Sequence, residues 1–395
     1  MFIRVVDDRR VNHVAHVRVR HFRSIGDASL EPGSLCALVG EADAGKSNLL
    51  GAVHALLDPA ARPLEPADMP VGDGAPELEG RLADGTALSL AATPPAVTPP
   101  VLFLPAELRA GAVVAPSAHA SAAAEHVASL LRPQVAPHGR TLPAVGVVDA
   151  IRSCCAFGIH GVLLLIEEPE LYLRPQAQRY LYRLLRTFAH GGNQVLYSTH
   201  SPAFLNVARL DELVLVERDR GGATAVLQPS PLPAGDDFRA LSEFDVERSE
   251  LFLARAAILV EGRTEKLVFP FVFEALGHDA DGEAISIVEC GGKGNLPLFI
   301  DICKAVRVPY VVVHDRDAAA GSEPIAAEAA LNEVILAAAG ADRVVVLEPD
   351  IERVAGIRGR SHKPERAWRR FAGSMGDVPE PLERAVRLAL ALARD

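Results

Sequence analysis

The chain is short of lysine, of paired cysteines and of long apolar runs, and each shortage removes a class of protein. Only five of the 40 basic residues are lysine, at positions 46, 266, 293, 304 and 363, and the formal net charge is −11. Such a balance excludes a generally basic coat for nucleic acid, so any DNA contact must come from a local basic patch. The cysteines (Cys36, Cys154, Cys155, Cys290, Cys303) form no CxxC pair. That argues against a zinc ribbon or a disulfide framework and suits a reducing cytoplasm. No stretch approaches the ~18 apolar residues of a membrane helix. The opening MFIRVVDDRRVNHV has no apolar block of signal-peptide length. With 49% apolar and 23% charged residues over 395 positions, the profile is that of two or three globular domains.

What is present is a double alternation of strand and helix. Strand-like pieces over 16–40 lead into GEADAGKSNLLGAVHALL, a loop followed by a helical pattern. From about Asp58 to Pro143 the chain is rich in Pro, Ala and Gly, with strand-like LEGRL, ALSLAA and VLFLP and one expected helix over 117–131. Then come helix AVGVVDAIRSCCAFG, strand GVLLLIEEPE, helix QAQRYLYRLLRTFAH and strand NQVLYSTH. LQPSPLPAGDD reads as a linker. Beyond it, ARAAILVEG, ISIVECGG, PYVVVHDRD and RVVVLEP are strands separated by helical stretches. That rhythm predicts a parallel, doubly wound sheet with helices on both faces. Both halves read as α/β.

Gly40-Glu41-Ala42-Asp43-Ala44-Gly45-Lys46-Ser47 fits G-x-x-x-x-G-K-[ST] between a strand and a helix. Gly40 and Gly45 would let backbone N–H groups wrap phosphates, Lys46 would reach the β- and γ-phosphates of ATP, and Ser47 would ligate Mg²⁺. In LLLIEEPE, Glu167 would hold the Mg²⁺ shell and Glu168 would polarise the attacking water. His200 follows the buried strand of VLYSTHSP, where an imidazole would sense the γ-phosphate.

Glu261 ends the strand AAILV, Gly262 allows a tight turn, and Glu265 follows on the first helical turn. Asp315 and Asp317 end the strand of HDRD. Clustered carboxylates repel one another unless a cation balances them, so four acids at two strand ends read as an oxygen-ligand site for Mg²⁺ or Mn²⁺. Phosphodiester hydrolysis is the chemistry such a site performs. Lys293 in CGGKGN reads either as a phosphate contact or as a solvated turn. Arg353–Arg370 carries seven Lys or Arg against one Glu, a path for a DNA backbone. Trp368 there could stack on a base, although a lone tryptophan in such a helix is expected in the core.

GEADAGKSN, LLLIEEPELYLRP and YSTHSP, in that order, resemble the ABC-type ATPases of the SMC-like DNA-repair group, and FRSIGD resembles the segment that opens their first strands. The resemblance implies head-to-head homodimers in which a Ser-Gly signature of one head completes the other's site. PAVGVV (143–148) is the best fit, with Gly146 in the glycine's place and Val145 where serine is usual. VEGRTE followed by a DxD strand end resembles the Toprim domain, and the tandem resembles the OLD family of ATP-dependent nucleases. Within that resemblance Glu348 matches an extra metal-binding acid and Lys363 a late lysine that would stabilise charge on the scissile phosphate. It implies an ATPase domain over 1–226 with a variable insert at 60–140, a linker over 227–250, a Toprim domain over 251–375 and a C-terminal helix over 376–395. It also implies DNA and ATP as ligands and a role in repair or phage defence, with room for a partner protein. An ATP-gated DNA clamp with a non-cleaving Toprim fold is the alternative.

Overall fold

Apolar runs without alternation become central strands buried on both faces, because only a parallel sheet covered by helices can take them. In a computed structural model of the chain, two compact units are formed by Met1–Pro229 and Ser230–Asp395. The structure describes residues 13–60, 62–70, 74–90, 98–106, 143–171, 173–219, 221–232, 247–317, 325–356, 363–371 and 378–394. The helix expected over 117–131 lies outside them.

The first unit has two sheets. One is antiparallel, ordered β2-β1-β4-β5, with β1 Val14–Phe22, β2 Ile25–Leu30, β4 Glu77–Leu82 and β5 Ala87–Ser89. On β1 the residues Val14, Val17 and Val19 are buried while the intervening positions are more open, the pattern of a sheet with one covered face. The second sheet runs β10-β9-β3-β8-β7-β6, with β3 Leu35–Val39, β6 Val101–Leu104, β7 Leu163–Glu167, β8 Gln194–Thr199, β9 Leu213–Arg218 and β10 Thr224–Leu227. Only its β10–β9 pairing is antiparallel. Helix α1, Lys46–Leu57, touches β1 and β4 of one sheet and β7 and β8 of the other. It is apolar almost all round, and ten of its twelve residues are buried, as a helix held between two sheets must be. Helices α2, Pro143–Ala156, and α3, Pro175–His190, pack on each other. The first residues of the expected linker are held here: Gln228 exchanges two hydrogen bonds with the Glu31 backbone (2.7 and 3.0 Å).

The second unit is a four-stranded sheet, β12-β11-β13-β14, parallel throughout, with β11 Ala256–Val260, β12 Ile285–Glu289, β13 Tyr310–Asp315 and β14 Val344–Leu347. The doubly wound arrangement expected from the alternation is present. Helices α4, Arg263–Ala275, α5, Leu296–Ala305, and α6, Ala326–Ala339, alternate with the strands; short α7, Ile351–Val354, follows β14, then α8, Lys363–Phe371, and α9, Glu380–Arg394. Leu382, Ala385, Val386, Ala389 and Leu390 of α9 share one core with Ile258 and Val260 of β11 and Phe269 and Phe273 of α4. At roughly 1.5–3 kcal/mol for each large apolar side chain taken out of water, α9 is a structural part of this sheet. Among the described residues no helix is long and apolar enough to cross a membrane.

Candidate functional site

Parallel strands deliver their C-terminal ends to one side of a sheet, where loops and helix N-termini gather. In the first unit β3, β8 and β7 are adjacent, with Val39 opposite Thr199 and Ser198 opposite Glu167. The loop Gly40–Ser47, His200 and the pair Glu167–Glu168 therefore leave the sheet side by side. Gly40 and Gly45 are fixed by close approach. A Cβ on Gly40 would stand 1.9 Å from the Val216 carbonyl oxygen, and one on Gly45, whose φ is +108°, would stand 2.1 Å from Thr224 Oγ1. Gly45 caps α1, so the helix N-terminus faces into the loop.

Lys46 is buried, and its Nζ donates to the carbonyls of Gly40 (2.9 Å) and Glu41 (2.7 Å). Burial lowers its pKa. Ser47 is exposed on the first turn of α1. Glu167 Oε2 accepts from the Ala106 backbone (3.1 Å), and Glu168 takes a left-handed backbone (φ +44°) with its oxygen 3.7 Å from His200 Nε2. Burial lowers the His200 pKa, with the Lys46 charge adding to the effect. Glu170, to which the sequence reading gave no role, positions this histidine: one carboxylate oxygen accepts from Thr199 Oγ1 (2.9 Å) and the His200 backbone (2.7 Å). Its other oxygen is buried and unpartnered, and burial raises its pKa. The signal was available as the third acid of IEEPE. The backbone of Val145 and Gly146 lies at the start of α2; their side chains are outside the described residues.

In the second unit β11 and β13 are neighbours, with Val260 opposite Val313. Glu261, at the end of β11, accepts the Asp315 backbone N–H at 2.8 Å. Asp315 Oδ1 accepts from the Ile351 backbone (2.9 Å), and Glu265 accepts from the Gly262 backbone (3.2 Å). Burial above all, together with the neighbouring carboxylates, pushes Glu261 and Glu265 up to about 7 and Asp315 up to about 8. Buried Glu352 contributes to that repulsion at Glu265 and Asp315. Asp317 is more open, and its Oδ2 meets Lys293 Nζ at 2.8 Å.

An all-oxygen, mutually repelling and partly desolvated donor set suits a hard divalent cation, which would relieve that repulsion. Convergence is incomplete, however. Among the described residues no group of three Asp, Glu, His or Cys side chains comes together closely enough to hold an ion. The reason lies in the hydrogen bonds just given: Glu261, Glu265 and Asp315 each direct an oxygen at a backbone N–H, and Asp317 turns to Lys293. Glu348 is two-thirds exposed and pairs with Arg316 at 3.3 Å, not with the strand-end acids. Lys363 opens α8, with its side chain outside the described residues.

One of the two readings of Lys293, the solvated turn, is removed, and one expectation needs correction. Lys293 is buried, bonded to the Asp315 carbonyl (2.6 Å) and to Asp317. Trp368 is not in the core, but half exposed. Helix α8 buries Ala367 and Phe371, four residues apart, in the core it shares with α4, and the next position falls about 100° off that face.

A P-loop unit followed by a parallel sheet with carboxylates at neighbouring strand ends is the plan of an ABC- or SMC-like ATPase joined to a Toprim domain. Residues 252–317 match the family model described as "Overcoming lysogenization defect protein-like, TOPRIM domain", and residues 140–206 match "AAA domain, putative AbiEii toxin, Type IV TA system". An OLD nuclease of Thermus scotoductus is 38% identical over 274 residues, 60% of this chain and 51% of that protein. The Old nuclease of Escherichia phage P2 is 31% identical over 40% of this chain and 28% of its own length. An uncharacterized protein of Escherichia coli, YbjD, is 29% identical over the same shares. The OLD resemblance read from the motifs holds. The chain spans about half the length of the first of these relatives and about a quarter of the other two.

Proposed function

We propose that this chain is an ATP-binding, divalent-metal-dependent DNA endonuclease that nicks duplex DNA, acting in the cytoplasm in repair or phage defence. The observation that carries the reading is the group Glu261, Glu265 and Asp315: three desolvated carboxyls at the ends of two adjacent strands and on the first turn of α4, pushed up to about 7, 7 and 8. Such a group is costly to keep unless it has a function, and cation binding is what it is suited to. Mg²⁺ or Mn²⁺ supplies a water of lowered pKa and screens phosphate charge when bound. Glu261 and Asp315 are the central ligands, Glu265 and Asp317 flank them, Glu348 joins from the end of β14, and Lys363 of α8 stabilises charge on the scissile phosphate. The half-exposed Trp368, between Ala367 and the exposed Arg369 and Arg370, gives the basic segment a stacking face for an unpaired base.

The first unit binds ATP at Gly40–Ser47, with Glu167 on Mg²⁺ and Glu168 and His200 at the γ-phosphate; nucleotide binding regulates cleavage, and two heads form a homodimer. The relatives named OLD nuclease support the assignment of cutting to this tandem. A second reading, an ATP-gated DNA clamp that does not cut, is favoured by the incomplete convergence of the acids. Supercoiled plasmid separates the two. Open circles should appear with Mg²⁺ or Mn²⁺ and not with chelator; plasmid that stays supercoiled under every condition, with retained DNA binding, would favour the clamp.

A further inference from the structure

Lys293 stands among the strand-end acids. Its loop is pinned to β11: the Cys290 N–H donates to the Val260 carbonyl (2.9 Å) and the Gly292 N–H to the Glu261 carbonyl (2.8 Å). Gly291 and Gly292 take φ of +74° and +125°, which turns the chain so that Lys293 points inward. The ammonium reaches the Asp315 carbonyl (2.6 Å), Asp317 Oδ2 (2.8 Å) and Glu328 Oε2 of α6 (3.5 Å), with its side chain only 7% exposed. A lysine is seldom so buried unless it is paired. All three partners lie at or beside the end of β13, where the proposed cation would sit.

We propose that Lys293 is a tethered counter-cation of this site, which a divalent ion must displace from Asp317 before the strand-end carboxylates can close around it. The inference rests on the metal-site reading given above. It accounts for two observations together: Asp317 Oδ2 is paired with the lysine, and among the described residues no three acids converge. Two cations cannot share the same carboxylates at 3–4 Å without strong repulsion. The site therefore answers to the local ion concentration, and the freed ammonium becomes a mobile positive group beside the place a DNA phosphate would occupy.

The test uses the whole protein without nucleotide and takes Mn²⁺ as the probe. Free Mn²⁺ is measured by electron paramagnetic resonance for wild type, Lys293→Met and Asp315→Asn. Lysines of wild type are also acetylated with an N-hydroxysuccinimide ester, with and without Mn²⁺, and mapped by mass spectrometry. Lys266 and Lys304 serve as internal controls. The expected results are Mn²⁺ binding by wild type that is lost in Asp315→Asn, about tenfold or more tighter binding in Lys293→Met, and Mn²⁺-dependent acetylation of Lys293 alone among the three. If Mn²⁺ binds but Lys293 stays protected, and Lys293→Met binds no tighter, the inference is overturned while the metal site stands. If wild type binds no Mn²⁺, the metal-site reading fails and takes this inference with it. The labelling needs no variant, so it decides the matter even if Lys293→Met does not fold.

Discussion

Asp315→Asn should stabilise the second unit at alkaline pH while abolishing its chemistry. Asp315 is pushed up to about 8 by burial and by the Glu261 charge, and Glu261 and Glu265 rise to about 7. The unfolded chain releases these protons near pH 4. Between about pH 4 and pH 8 the folded state thus holds more protons than the unfolded state, and stability falls as pH rises through that window. Asparagine carries no charge, and its Oδ1 can still accept the Ile351 N–H that Asp315 accepts at 2.9 Å. One unit of pKa is about 1.4 kcal/mol, and removing one charge also relieves its neighbours. A gain of about 1–3 kcal/mol at pH 8 is expected, shrinking toward pH 5, where the folded wild type is already protonated. Hydrogen exchange of β11 and β13 amides, in chelator and corrected for intrinsic rates, reads this unit separately from the other. Exchange in Asp315→Asn that is unchanged or faster at pH 8 would refute the claim that a desolvated carboxylate destabilises this sheet.

Lys46→Ala should abolish ATP binding in a filter or calorimetric assay and leave hydrogen exchange in β11–β14 unchanged, since the second sheet has its own core. Asp68→Ala should cost the first unit about 3–5 kcal/mol, because Asp68 is fully buried between Arg23 (2.8 Å) and Arg62 (2.7 Å) and its loss leaves two cations facing each other; urea unfolding followed in β1 and β4 peptides checks it. Fluorescence of the single tryptophan should be quenched by single-stranded DNA and the quenching lost at high salt; unaltered emission at saturating DNA would remove Trp368 from the interface.

Much of this arrangement was legible because the physics was local. LLLIE, AAILV and YVVVHD are dominated by apolar residues and end on an acid or run straight into one (Glu261 after Val260), and such runs become parallel strands with the acid at the ligand-binding end. Gly40 and Gly45 were legible for the same reason, each being excluded from bearing a side chain. Less legible were contacts made across sequence. Whether Lys293 faces water or Asp317 depends on a residue 24 positions away, and CGGKGN does not encode that. Strands β9 and β10 escaped because their places depend on distant partners: β9 pairs in parallel with β3, far away in sequence, and β10 pairs with β9. Trp368 was misplaced because a single large apolar residue carries no periodicity, whereas Ala367 and Phe371 do.

The most direct test is a comparison of plasmid nicking by wild type, Asp315→Ala and Glu168→Gln at matched protein and Mn²⁺ concentrations, with and without ATP. Loss of a central carboxylate at the proposed cation site should cost several kcal/mol of transition-state stabilisation, a rate loss of roughly a thousandfold or more. Glu168 belongs to the other unit's sheet, so Glu168→Gln should still nick and differ at most in its response to ATP. Nicking by Asp315→Ala at the wild-type rate would contradict the account, since the cut would then be made without the carboxylates that define the site.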